Sequence, residues 1–178
     1  MRDDYRIYDP SAIYFITSTI VEWVPVFTSK PYFDILVDSI QYCRLEKGLK
    51  VFVYVLMENH FHVIFQGEHL SRTLQSLKRH TSMKILEQLK TDGKDWVLNL
   101  FQFYKKRHKK SSRHQVWQEG FHPKQIISDD VFRQKAEYIH QNPVRRGYVD
   151  LPEHWHYSSA AQVLGIKKGP IDLDPIPF

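Results

Sequence analysis

Hydrophobic and polar positions along this chain change period several times, and the changes divide it into elements. Residues 12–20, AIYFITSTI, alternate β-branched and aromatic types, which predicts a first strand. The stretch 22–30, interrupted by Pro25, reads as a loop. From 31 to 46 the apolar positions are Phe33, Leu36, Val37, Ile40 and Cys43. Steps of three and four mark one face of a helix, and Gly48 is suited to close it. Two strand-like runs follow at 51–57 and 61–65, separated by Glu58-Asn59, so a hairpin is expected. Residues 70–90 predict a second helix, capped by Ser71 or His69, with Leu74, Leu77, Met83, Ile85, Leu86 and Leu89 as its buried stripe. Thr91-Asp92-Gly93 ends it.

Residues 95–110 predict a third helix, with Trp96, Leu100 and Phe103 at helical spacing ahead of a run of cations. The segment 115–127 has a broken strand pattern, with Gly120 and Pro123 at candidate bulges. Ser128-Asp129-Asp130 has the chemistry of a helix start: a hydroxyl for the free amides, then two carboxylates against the positive end. That helix is expected to run to Gln141 or Asn142, because Pro143 disfavours helical geometry just before it. NPVRRGY (142–148) reads as a turn, 151–164 as a short helix or irregular cover, and 165–178 as an extended tail.

The order strand, helix, strand, strand, helix, helix, strand, helix fits an α+β fold. The expected architecture is a ferredoxin-like βαββαβ sandwich, an antiparallel sheet with helices on one face, plus additional C-terminal helices. One domain over 1–164 and a tail over 165–178 are expected, since 178 residues give one sizeable core and no linker divides them.

Composition narrows this picture only a little. An excess of 25 Lys+Arg over 20 Asp+Glu gives a net charge of +5, and the pI is about 9.2. A polyanionic partner is permitted by that balance without being required. Cys43 is the single cysteine, so neither a disulfide framework nor a thiolate metal cluster is available. No apolar run approaches the roughly 18 residues of a membrane span, and the opening residues lack the order of a secretory leader. The expectation is therefore a cytoplasmic protein with no membrane partner.

Candidate chemistry starts at His60-Phe61-His62. Side chains alternate along a strand, so both imidazoles point to one face while Phe61 points to the other. Such a pair is either hydrogen-bonded core or two ligands of one metal ion. The late helix supplies a second group. Tyr138 and Asn142, four residues apart, share a face beside the stripe Phe132, Ala136 and Ile139. Tyr138 is either a packing residue or a hydroxyl nucleophile, and the Asn142 carboxamide oxygen is of a type that completes a two-histidine site. Metal-assisted attack on a phosphodiester would require that combination.

The blocks VYVLMENHFHVIF, VWQEGFHPKQI, AEYIHQNPVRRGYV and WHYSSA stand in this order along the chain. Together they resemble the REP-associated tyrosine transposases, relatives of the single-tyrosine enzymes of the HUH (His, hydrophobic, His) nuclease superfamily. The resemblance covers roughly residues 12–164. It implies a ferredoxin-like fold, with His60 and His62 as metal ligands, Asn142 completing the metal site and Tyr138 as nucleophile. The implied activity is cleavage and joining of single-stranded or hairpin-forming DNA through a 5′-phosphotyrosine bond; two imidazoles and an amide oxygen would accept Mg²⁺, Mn²⁺ or a later transition ion, and cellular supply favours the first two. The protein would act as a monomer or homodimer. No G-x-x-x-x-G-K-[ST] loop for a nucleotide is present, which suits chemistry that needs no ATP.

Phosphate contacts are expected from Lys78, Arg79, Lys105, Lys106, Arg107, Arg145 and Arg146, and base stacking from Tyr104, Trp117 or Phe121. Each of these also has an ordinary reading as solvated cation or core aromatic. Two other functional classes stay open: a binder of structured nucleic acid that has kept the fold without catalysis, and a metal-dependent hydrolase using water as nucleophile.

Overall fold

The structure is a computed structural model, and it describes residues 7, 9–106 and 112–177. Among these, four strands form one antiparallel sheet in the order β2-β3-β1-β4: β1 Tyr14–Thr19, β2 Lys50–Leu56, β3 His60–Gln66 and β4 Lys124–Gln125. Helix α1, Lys30–Lys47, connects β1 to β2 and ends on Gly48 in the left-handed region (φ 63°). Helices α2, Leu70–Thr91, and α3, Asp95–Phe103, separate β3 from β4. This is the βαββαβ order expected from the sequence.

Successive residues of β3 divide between two cores. Phe61, Val63 and Phe65 join Tyr14, Ile16, Leu36, Ile40, Leu74 and Leu77 in a core closed by α1 and α2. Ile64 turns the other way, with Phe15, Phe52, Val53 and Val55, onto the added helix α4, Asp129–His140. The two helices of the ferredoxin-like unit thus lie on one face, and the C-terminal addition covers the other. A register shift between Val51 and Val53 puts the consecutive residues Phe52 and Val53 into the same core.

Helix α4 starts as its sequence predicts: the Ser128 hydroxyl accepts from the Val131 amide at 3.3 Å. Phe132 and Ile139 are buried and Ala136 packs beside them, which is the expected stripe. The Pro143 turn is a short helix, α5, Asn142–Arg145.

The outer edge of β2 does not stay open. The Leu56 amide donates to the Tyr157 carbonyl (2.8 Å), the Trp155 indole N–H to the Leu56 carbonyl (2.9 Å), and the Tyr54 amide to the Ser159 hydroxyl (3.0 Å). Helix α6, Ala160–Val163, follows. The tail is extended as expected but docked: Ile171 is buried, and the Asp174 carboxylate accepts from the Val51 amide and from Arg44 (both 2.9 Å). Bare ladder groups on an edge strand invite foreign strands, and this strap occupies them.

Local expectations fail in three segments. Helix α3 ends at Phe103, since continuing into the cationic run would stack like charges at helical spacing. Its buried residues are Val97 and Phe101, whereas Trp96 and Phe103 face solvent, because this peripheral helix touches the domain along a narrow line. In α2 the buried line passes through Thr81 and Ile85, which leaves Met83 exposed, and His69 precedes the helix without a side-chain cap. The 115–127 segment pairs with β1 only at Lys124–Gln125 and through a single Trp117 to Ile20 bridge.

Candidate active site

The site lies on the α4 face, where β3 and β1 run side by side. His60 is paired with Thr19 and His62 with Thr17 in the antiparallel register. Their imidazole centroids are 4.8 Å apart, on the same side of the sheet as expected from the spacing. Both residues are buried, at 4% and 6% exposure.

Each ring is oriented through its Nδ1. The Asn59 amide nitrogen donates to the Trp23 carbonyl at 3.0 Å, so its oxygen faces His60 and accepts from the Nδ1 N–H at 2.7 Å. That leaves a lone pair on His60 Nε2, the form a metal ligand needs. His62 Nδ1 is hydrogen-bonded to the Thr17 hydroxyl at 2.8 Å, and Phe15 stacks on the ring with centroids 5.5 Å apart. Burial pushes the His60 pKa down to about 4, and burial reinforced by its neighbour pushes His62 down to about 3. Both imidazoles are neutral at physiological pH.

From α4, Tyr138 brings its ring to 5.3 Å from His62 and 6.0 Å from Phe15, with 38% of the residue exposed. One turn on, Asn142 donates its amide to the Tyr138 carbonyl at 2.8 Å, and the Glu58 carboxylate, with a smaller contribution from the Asn142 side chain, partly offsets the downward shift of His60. Among the described residues no group of three or more His, Cys, Asp or Glu could hold a metal. Two imidazoles with an amide oxygen beside them are nevertheless a donor set that a divalent cation fits, as neutral nitrogens and a hard oxygen.

Cations surround the tyrosine. The Arg145 guanidinium lies 4.9 Å from its ring centroid, and the Lys135 ammonium 6.0 Å from it and 5.3 Å from that of Phe15. Lys135 escaped the sequence reading although it stands three residues before Tyr138, a spacing that puts both on one helix face. Arg146 is engaged elsewhere, 3.7 Å from the Glu58 carboxylate. Glu58 and Asn59, read as turn formers, do more: the Glu58 carbonyl accepts from the Val26 and Phe27 amides, and Asn59 orients His60.

The other expected DNA contacts lie away from the histidines. The Lys78 ammonium donates to the Gln118 and Gly120 carbonyls (2.7 and 2.6 Å), which makes it a fastener of the 115–121 segment. Lys106 pairs with Glu119 at 3.0 Å, Lys105 is half-buried, and Arg107 lies outside the described residues. Arg79 is exposed and lines an open groove of about 1400 Å³ between α2 and residues 112–121. Of the candidate stacking aromatics, Trp117 and Phe121 are core residues, the former donating to the Thr81 hydroxyl at 3.0 Å, and Tyr104 alone is exposed.

The architecture is a ferredoxin-like sheet whose added helix carries a tyrosine to a pair of strand histidines. No protein-family model matches the chain, and no curated protein matches it. Among solved structures, the fold is similar to that of a REP-associated tyrosine transposase bound to a REP hairpin. The TM-score is 0.67 and the identity 17%, over 100% of this chain and 95% of that one. At that identity the likeness carries the fold. Among the described residues no helix is long and apolar enough to cross a membrane.

Proposed function

We propose that this chain is a single-tyrosine DNA strand-transferase acting on single-stranded, hairpin-forming DNA, with residues 1–164 as its catalytic domain. The observation that carries the reading is the meeting of Tyr138, from α4, with His62 and His60, from β3, on one face of the sheet. The structural neighbour, which is bound to a REP hairpin, supports the substrate class.

His60 and His62 would hold a divalent cation, Mg²⁺ or Mn²⁺, through Nε2, with the Asn142 oxygen as a third donor. When bound, such an ion draws charge from a non-bridging phosphate oxygen. Tyr138 supplies the attacking oxygen: its bond to phosphorus forms as the bond to the 3′-oxygen breaks, giving a 5′-phosphotyrosine and a free 3′-hydroxyl. The phenol proton passes to water and the departing oxygen takes one up. Arg145 and Lys135 sit where charge gathers on the phosphate and the phenolate, and they favour both. One phosphodiester replaces another, so the step is reversible by a 3′-hydroxyl and needs no nucleotide.

Phosphate contacts along the flanking strand are assigned to Arg145, beside the tyrosine, and to Arg79, in the open groove. The reading is tested with a single-stranded suicide substrate. Wild type with Mn²⁺ is expected to yield a covalent protein-DNA adduct, which a chelator abolishes, and His62→Ala is expected to lose the adduct while retaining most DNA binding. Cleavage without an adduct would favour water as the nucleophile. Hairpin binding with no cleavage under any divalent ion would favour a non-catalytic binder.

A further inference from the structure

We infer that Trp23 is a stacking platform for an unpaired base beside the phosphate held at the histidine pair, an assignment that rests on the nucleic-acid reading above. Trp23 is 52% exposed, yet its ring stands edge-on to His60 with centroids 5.6 Å apart. An indole of that size left half in water at the wall of a polar site forgoes burial that the core offers Trp117.

The backbone beneath it is held in an unfavourable form. Glu22 and Trp23, at φ 50° and 56°, are the two non-glycine residues with positive φ among the described residues. Left-handed geometry costs a residue with a side chain roughly 1 kcal/mol or more. The surroundings impose it from both sides: the Val21 amide donates to the Val116 carbonyl (2.8 Å), Trp23 to Ile20 (3.0 Å), and Val26 and Phe27 both to Glu58 (2.8 and 2.9 Å). The Trp23 carbonyl takes the Asn59 amide that also fixes His60. The turn therefore sets the indole and the imidazole in a fixed relation.

Trp23 stands beside His60, whereas Tyr138 with Arg145 and Lys135 stands beside His62, so along the histidine pair the site passes from an aromatic ring to cations. A single strand alternates flat bases with anionic phosphates, and a base-plus-phosphate unit matches that arrangement. Every base has a π-face, so the platform fixes position without selecting sequence.

The test uses the full chain and a DNA hairpin with single-stranded arms of random sequence, beside the same hairpin with abasic arms. Trp23→Ala is expected to weaken binding of base-bearing arms about tenfold, the size of one lost base stack, and to leave binding of abasic arms unchanged. Trp23→Phe is expected to keep most of the affinity, and Mn²⁺ binding measured by calorimetry is expected to match wild type. An equal loss on both arms, or no loss on either, overturns the assignment. A parallel loss of Mn²⁺ affinity overturns it in favour of a mere support for His60. Failure of the nuclease reading appears elsewhere, as absence of the covalent adduct in wild type, and leaves the comparison of arms intact.

Discussion

The two faces of β3 differ in what closes them. Toward α1 and α2 the strand presents Phe61, Val63 and Phe65, none with measurable exposure, in a core closed by long aliphatic and aromatic side chains. Toward α4 the same strand presents His60 and His62 before Ile64, and the twelve-residue helix covering it buries only Phe132 and Ile139 fully. The first face is apolar packing that fixes the strand. The second is partly polar, reaches solvent at Tyr138, and gives up apolar contact to hold two ring nitrogens and an amide in hydrogen-bonded positions. A strand rigid on one side is what allows positioned chemistry on the other.

The sharpest way to break this contrast is to exchange the consequences. Phe65→Ala, on the closed face, is expected to cost about 3–5 kcal/mol of stability in urea unfolding, since a large cavity opens in a site that cannot collapse. His62→Ala should cost far less stability while removing cleavage. If the two variants lose stability equally, the faces are not divided as described.

Acid acts on the buried histidines of the polar half. His60, His62 and His140 all have pKa values lowered by burial, to about 4, 3 and 4. A lowered histidine pKa means that the unfolded chain takes up protons first as pH falls. Stability is then complete above about pH 7, declines as pH falls through the unfolded value near 6.5, and levels only near pH 3–4. By pH 4 each imidazole has contributed about 3 kcal/mol of the decline. His140 bonds the Ser159 hydroxyl at 2.8 Å, which ties α4 to the strap on β2. Unfolding midpoints from pH 8 to pH 4 check the slope; a flat profile would mean that these rings are not buried neutral.

Smaller effects belong to the supports. Asn59→Ala frees the His60 ring, and Mn²⁺ affinity by calorimetry is expected to fall about 10–100-fold while the fold persists. Lys78→Met strands the Gln118 and Gly120 carbonyls and is expected to cost about 1–2 kcal/mol in thermal unfolding, with little change in hairpin affinity. A large loss of DNA binding without loss of stability would instead return Lys78 to the DNA-contacting set.

What the sequence made legible was local. The Ser128 cap, the Phe132 to Ile139 stripe, the same-face placement of His60 and His62, and the Tyr138 to Asn142 turn all follow from periods of two and about four. Trp23 beside His60, Thr17 on His62 and the strap along β2 depend on which distant segments pair, and no local period encodes that. Lys78 and Trp117 show the same dependence: a basic or aromatic residue reads as a contact until its long-range partner, a backbone carbonyl or Thr81, is known. Met83 and Trp96 show the limit of helical spacing, which locates a face only when the neighbouring layer is already placed.

The proposed function makes the tyrosine on α4 and the histidines on β3 one chemical unit. It is tested most directly by incubating wild type and Tyr138→Phe with a single-stranded suicide substrate and Mn²⁺, followed by denaturing electrophoresis and mass spectrometry of the adduct. The expected result is a 5′-phosphotyrosine peptide containing Tyr138 in wild type and no adduct in Tyr138→Phe; an adduct persisting in Tyr138→Phe would contradict the claim.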